Sequence, residues 1–464
     1  MSFPPSISEE SSADIQRVEQ LLNSAGPMIG SGRQPEILRA AQQAEEAVAI
    51  CLRLDAAGVP GIRRLLSGAL FCHADALRES GDPGVKPLAQ ESYGEALKFF
   101  GEVMNPDDIG DAHHLAKIWM SRGMTFLEDG DAEALPQALE CFERALDLRE
   151  SLPQKMEAPY AWALSAAWMN RGDVLSRLGS PEQLTEAVRS YDEAITLLDG
   201  MPAEEYPNCR VRLGLAWMNR GLASVAQRNE AGHGEGLRSF TMSVKELGQE
   251  GENISPEQRR ILSCAQLNRG NALLSGPQPD AVAAREEALA AIASVAEFEQ
   301  QEPVAALMSL QSRHLFCRGS AYMVDHGQAT GDWMTEVTDT VDEGMALGRH
   351  WRLQGQEHLG RMELELLRFG ALTYRLFQPH FLPEFLLESM DPERSPGAPV
   401  MDGKMHHVAA EALGLVVNDL RAAQQGDRTP EQMEAILELL QELQEAEQRL
   451  GELRAKYLET PPQE

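Results

Sequence analysis

Five arginines stand at positions 122, 171, 220, 269 and 318, each 49 residues from the next. More than arginine keeps this step. Trp168-Met169-Asn170-Arg171-Gly172 returns as Trp217-Met218-Asn219-Arg220-Gly221, and a weaker copy reads Trp119-Met120-Ser121-Arg122-Gly123. Fainter copies end in Arg269-Gly270 and Arg318-Gly319, and one step back lands on His73-Ala74. A strict period restricts the chain to a stacked-repeat architecture, in which each unit buries its apolar face against its neighbours. Such an array grows by adding units, so a length of 464 residues does not have to be divided among ordinary domains.

The spacing within one period predicts two helices. The first ends shortly after the Arg-Gly step. A polar loop follows, legible as Ser80-Gly81-Asp82-Pro83-Gly84, Asp129-Gly130-Asp131, Gly179-Ser180-Pro181, Asn229 to Gly234, and Gly276-Pro277 to Asp280. The second helix carries Tyr93, Phe142, Tyr191, Phe240 and Leu289 in phase, with Ala96, Ala145 and Ala194 three residues further on. That offset places each bulky residue and its alanine on one face, where the large side chain fills the gap and the small one admits the neighbouring helix.

The flanks are less regular. Residues 1–12 are rich in Ser, Pro and Glu and read as disordered. A degenerate first unit covers 13–60, its first helix starting near Ala13 and ending at Gly26-Pro27. Regular repeats occupy 61–350, and a drifting terminal repeat, with Phe369 where arginine is expected, occupies 351–390. A Pro-rich linker at 391–403 leads to a helical segment at 404–464, whose last helix starts at Thr429-Pro430-Glu431-Gln432 with a threonine cap, a first-turn proline and an acid. Met433, Ile436, Leu440, Leu443, Leu450, Leu453 and Tyr457 form a partial coiled-coil stripe. Either a hairpin closing the array or a dimer-forming coil satisfies it.

These residues resemble the tetratricopeptide repeat (TPR), a family of antiparallel helix pairs. Trp168 and Gly172 match its first-helix pair, Ala187, Tyr191 and Ala194 match its second-helix set, and Ala138, Phe142 and Ala145 do so one unit earlier. The unit here is longer than the family's usual 34 residues, in the manner of its kinesin-light-chain-like variants. The resemblance implies an all-α solenoid of antiparallel helix pairs, wound as a right-handed superhelix; the C-terminal helical hairpin read from the residues above would close it. It also implies protein or peptide binding as a class function.

Charge and motifs narrow the function further. A formal net charge of −31 opposes nucleic acid and anionic lipid and leaves a basic protein or amphipathic helix as a fitting partner. No run approaches the roughly 20 apolar residues of a membrane span, and the N-terminus lacks a secretory pattern, so the expected compartment is the cytoplasm. The six cysteines form no CxxC pair and read as reduced core residues. The pairs His113-His114 and His406-His407 diverge on a helix, which is poor metal geometry. No HExxH, P-loop or GxSxG sequence is present. The chain reads as non-enzymatic, with no cofactor and no metal.

The candidate binding residues follow from the resemblance. The position after each Trp forms a ladder of Phe71, Met120, Met169, Met218, Leu267 and Phe316. In the family the matching position faces the concave groove, and a thioether-rich stripe there would suit an amphipathic helix or an extended peptide. Core packing between helices explains the same ladder. Lys117, Asp173, Asn271 and Arg313 map to further groove positions. The arginine ladder fits either an anion site or a structural tie to acids such as Glu143 and Asp192. The leading reading is a scaffold or adaptor that binds a protein along an apolar groove. The alternatives are a self-assembling protein using its C-terminal helix as a homo-oligomer handle and a regulatory subunit of an enzyme complex.

Overall fold

The computed structural model describes residues 9–105, 107–152, 157–202, 205–206, 208–249, 254–328, 333–377, 379–391, 394, 403–425 and 429–458. Among them the regular structure is helical throughout, in two compact units, Met1–Arg228 and Asn229–Glu464.

Unit 1 holds α1 (Glu9–Ile29), α2 (Gln34–Ala56), α3 (Ile62–Glu79), α4 (Lys86–Val103), α5 (Ile109–Asp129), α6 (Leu135–Glu150), α7 (Ala158–Leu178), α8 (Pro181–Asp199) and α9 (Cys209–Ala226). Each helix packs on the next, and α3, α5, α7 and α9 also touch in series, so the first helices of successive repeats form one layer. Unit 2 holds α10 (Glu230–Gly248), α11 (Pro256–Ser275), α12 (Ala281–Val295), α13 (Pro303–Asp325), α14 (Trp333–Leu353), α15 (Glu357–Phe377), α16 (Leu382–Met390), α17 (Gly403–Gln424) and α18 (Pro430–Leu458). There α11, α13, α15 and α17 form the corresponding layer, and α18 packs on α16 and α17 as the second arm of a hairpin. Both units are all-α arrays of packed helix pairs.

Two successive repeats of unit 1 are closed by the same contact. A side chain added at Gly123 would stand 2.7 Å from the Phe142 ring, and one at Gly172 would stand 2.8 Å from the Tyr191 ring. Glycine at these positions lets the two helices close on the aromatic, which is at most 1% exposed. Burying such a ring contributes roughly 2–3 kcal/mol per repeat. A buried serine adds a polar tie: Ser67 donates to the Ala96 carbonyl and Ser263 to that of Ala291, both at 2.8 Å. The loops keep phase as well. Gly81, Gly130 and Gly179 close their helices at φ of +67°, +67° and +74°, and Arg228, one step on, holds φ +54° without glycine's freedom.

The structure differs from the sequence expectations in two places. Helix α1 begins at Glu9 and runs through Pro27 to Ile29. A proline in the last turn removes only the bond to the Asn23 carbonyl, so it does not stop the helix. Residues 9–12 are therefore helical, while 1–8 lie outside the described residues. In α12 the buried face is Ala284, Ala288 and Ala291, and Leu289 is 48% exposed. The buried positions of α12 fall one residue ahead of the period, at Ala284 and Ala288 in place of 285 and 289, which turns Leu289 outward. Most of the expected linker, 392–393 and 395–402, lies outside the described residues.

Candidate functional site

The layer of α5, α7 and α9 in unit 1 brings the central rungs of the ladder together. Hydrogen bonds between neighbouring first helices set its register. Asn170 Nδ2 donates to the Met124 sulfur at 3.3 Å, and Asn219 Nδ2 donates to Asp173 at 3.0 Å. Each bond spans 46 residues, one period less three, so it links one helix to the turn above on the next. Met120, Met169 and Met218 then share one face.

Burial separates those rungs. Met120 and Met169 are half-buried at the edges of the cores that contain Phe142, Leu164 and Leu213. Met218 is 8% exposed and Phe71 is 7% exposed, its ring packed on Tyr93 and His114. In unit 2, Leu267 is 7% and Phe316 1% exposed. The ladder is core at Phe71, Met218, Leu267 and Phe316 and surface in part at Met120 and Met169. One repeat position thus serves both of the roles between which the sequence left the choice open. Leu222, on the same face of α9, is 45% exposed, a position that sequence reading passed over.

The polar candidates also divide. Lys117 is exposed, its ammonium 5.1 Å from the Phe71 ring. Asp173 accepts from Tyr191 Oη at 2.6 Å as well as from Asn219. Burial raises its pKa, while those hydrogen bonds oppose the rise. Asn271 donates to the Leu267 carbonyl at 3.0 Å and accepts from Arg318 at 3.3 Å. Arg313, 4% exposed, pairs with Glu299 at 3.0 Å and Glu343 at 3.2 Å, so its charge is spent on internal partners.

The arginine ladder is structural where its partners are seen. Arg171 reaches Glu143 at 3.3 Å and Ser190 at 2.8 Å, and Arg220 reaches Asp192 at 2.6 Å. Both guanidinium groups lie 5.7 Å from the ring of the tryptophan three residues earlier. These are the acids that the sequence offered as partners, on the helix behind.

Clefts lie in both units. In unit 1 one of about 570 Å³ lies between α1, α3, α4 and α5, with Ile62, Leu65 and Phe100 on its walls. Its polar edge is Arg64, paired with Asp111 (Nη2–Oδ2 2.7 Å), which holds that carboxyl down at about 2. Unit 2 has clefts of about 510 Å³ at α14–α16 and about 370 Å³ at α17–α18. Among the described residues no group of three or more His, Cys, Asp or Glu is placed to hold a metal ion. Burial pushes the Cys51 and Cys317 thiols up to about 12, which suits core residues rather than nucleophiles. No helix of the described residues is long and apolar enough to cross a membrane.

No protein-family model matches the chain, and no curated protein sequence matches it. The chain is similar to several solved structures at low identity. BtubC from P. vanneervenii is 15% identical with a TM-score of 0.38, over 64% of this chain and 94% of that one. A Rap protein, solved with competence and sporulation factor, is 14% identical with a TM-score of 0.37, over 95% and 99%. A STAND signal-transduction ATPase with a tetratricopeptide repeat sensor, from Pyrococcus horikoshii, is 12% identical with a TM-score of 0.39, over 90% and 53%. Helix pairs closed by Gly-aromatic contacts in a layered array define a TPR-like helical-repeat protein.

Proposed function

We propose that the protein is a non-enzymatic scaffold that binds a protein or peptide partner across α5, α7 and α9 of unit 1. The carrying observation is the split in the methionine ladder. The amide bonds of Asn170 and Asn219 fix a face on which Met120, Met169 and Leu222 keep apolar surface in water, while the neighbouring polar groups are tied to one another. Flexible thioethers and a leucine on a rigid layer suit adhesion to an amphipathic helix. Lys117 at the edge adds a single charge for orientation. TPR-like arrays commonly serve in this way, which supports the class of function and names no partner.

The test uses Met120→Glu with Leu222→Glu, since Met218 is too buried to report on binding alone. Partners captured by affinity from the native cell are identified with wild-type protein and then measured against the variant. The expected outcome is at least about tenfold weaker capture with helical circular dichroism retained. Met218→Glu, by contrast, places a charge in the core and lowers the melting temperature, at a cost of about 3 kcal/mol or more. Full capture by the surface double variant would remove the reading.

A further inference from the structure

Unit 2 carries two clefts on either side of one corner. The first, between α14, α15 and α16, has Met345 and Phe385 in its floor, and Tyr374 packs on Phe385 with ring centroids 4.8 Å apart. Phe381 stands 45% exposed among its lining residues, and Asp342, Glu384 and Glu388 supply three carboxylates, all exposed. The second, between α17 and α18, has Leu420, Ile436 and Leu439 in its floor and the exposed Glu438 and Glu442 at its rim. His380 lines the second cleft and Phe381 the first, with their rings 4.2 Å apart, so the clefts meet there.

The two share one design, an apolar floor under a carboxylate rim. Helix α16 contains no basic residue, and α18 contains none before Arg449. Arg349 also lines the first cleft but is directed to Glu363 at 3.7 Å. We propose that the paired clefts dock a basic segment of a partner protein, two of whose lysine or arginine side chains lay their stems on the apolar floors and their charged heads among the rim carboxylates. Long cationic side chains cover apolar surface in this manner, and the exposed Phe381 ring favours a guanidinium. Crowding supports the assignment. Partial loss of water where the Asp342 carboxyl lines the cleft, with Asp339 and Glu388 nearby, raises it to about 6, a strain that an incoming cation relieves. A second copy of the chain is a poor occupant, because it carries the same net charge of −31. This surface lies in unit 2 and stands independently of the face proposed in unit 1.

The experiment uses the full chain and a labelled amphipathic Lys/Leu peptide of about 18 residues, read by fluorescence anisotropy in about 150 mM NaCl. The cleft variant carries Glu384→Gln, Glu388→Gln, Glu438→Gln and Glu442→Gln. A control carries Glu257→Gln, Glu286→Gln, Glu357→Gln and Glu411→Gln, four exposed acids of the same unit outside both clefts. The two variants have equal net charge. The expected result is about tenfold or greater loss of peptide affinity in the cleft variant and less than about twofold in the control. Neutralising one cleft at a time gives intermediate losses, and a Glu/Leu peptide does not bind. Equal losses in both variants would mean that a diffuse acidic field attracts the peptide, which overturns the proposal. So would unchanged binding, or wild-type self-association in sedimentation that the cleft variant abolishes, since the clefts would then hold a second copy.

Discussion

At the scale of single residues the repeat carries a matched pair that changes type from unit to unit. Tyr93 donates to Asp75 and Tyr191 to Asp173, both at 2.6 Å. In the repeat between them the aromatic is Phe142, without a hydroxyl, and the acid's position holds Met124. Where the ring has a donor the neighbouring helix supplies a carboxylate, and where it has none, at Phe142 and Phe240, the position holds an apolar residue, Met124 and Leu222. A carboxylate this deeply placed depends on its donors, so Tyr191→Phe is expected to cost about 1–3 kcal/mol. Asp173→Met alone leaves the Tyr191 hydroxyl only its 3.4 Å contact with Ser176 and costs a similar amount. Tyr191→Phe with Asp173→Met reproduces the Phe142–Met124 combination and recovers about 1–2 kcal/mol of the summed loss, a coupling measurable by chemical denaturation. Strict additivity would show that the alternation is accidental. The signal was present in the sequence as Asp75/Tyr93 and Asp173/Tyr191, but it becomes legible only once a hydroxyl and a carboxyl are seen to face each other.

At the scale of elements, α18 shows how local rules and distant contacts share the work. Its start is local: Gln432 N donates to Thr429 Oγ1 at 3.2 Å and Thr429 N to Gln432 Oε1 at 3.1 Å, the reciprocal cap that the Thr-Pro-Glu-Gln sequence predicts. Its position is not local. Arg449 grips Asp391, at the end of α16, with bonds of 2.8 and 3.2 Å, and Asp391 is 1% exposed. Leu443, Leu450 and Leu453 turn inward beside it. Arg449→Ala removes both bonds from a buried carboxylate, and the expected loss is about 3 kcal/mol or more in the unfolding of unit 2. A double change to leucine at both positions recovers most of it. A loss below about 0.5 kcal/mol for the single variant would show that apolar packing alone holds the helix. The same division explains what could be read in advance. The helices, their caps and the Gly172–Tyr191 kind of contact recur in phase, so period and spacing reveal them. The one-residue slip at α12 could not be read, because Leu289 keeps its phase in sequence while its helix rotates. Nor could the clefts beside α16 and α18, which are made by residues brought together from different helices. The methionine ladder stayed open in the sequence for another reason: Met169 and Met218 are the same residue at the same phase, and only their neighbours decide which one meets water.

At the scale of the whole molecule, the dominant quantity is an excess of acid, 72 Asp and Glu against 41 Lys and Arg. Many of the cations are already engaged, as Arg171 is with Glu143 and Arg449 with Asp391, so the surplus is carboxylate facing solvent. Each folded unit concentrates like charge that the unfolded chain spreads out, and that self-repulsion opposes folding. Salt acts on it in two ways. It weakens the exposed ion pairs, each worth about 0–1 kcal/mol, and it screens the long-range repulsion summed over the surface. With an excess this large the second effect wins. Raising NaCl from about 20 mM to about 300 mM shortens the screening length from about 20 Å to about 6 Å, and the melting temperature of the full chain is expected to rise by several degrees. Affinity for a basic peptide is expected to fall over the same range, because screening removes the attraction along with the repulsion. Opposite slopes in the two measurements are the signature of an acidic surface held ready for a cationic partner. A melting temperature that falls with salt would instead show that the ion pairs, and not the surplus, govern stability.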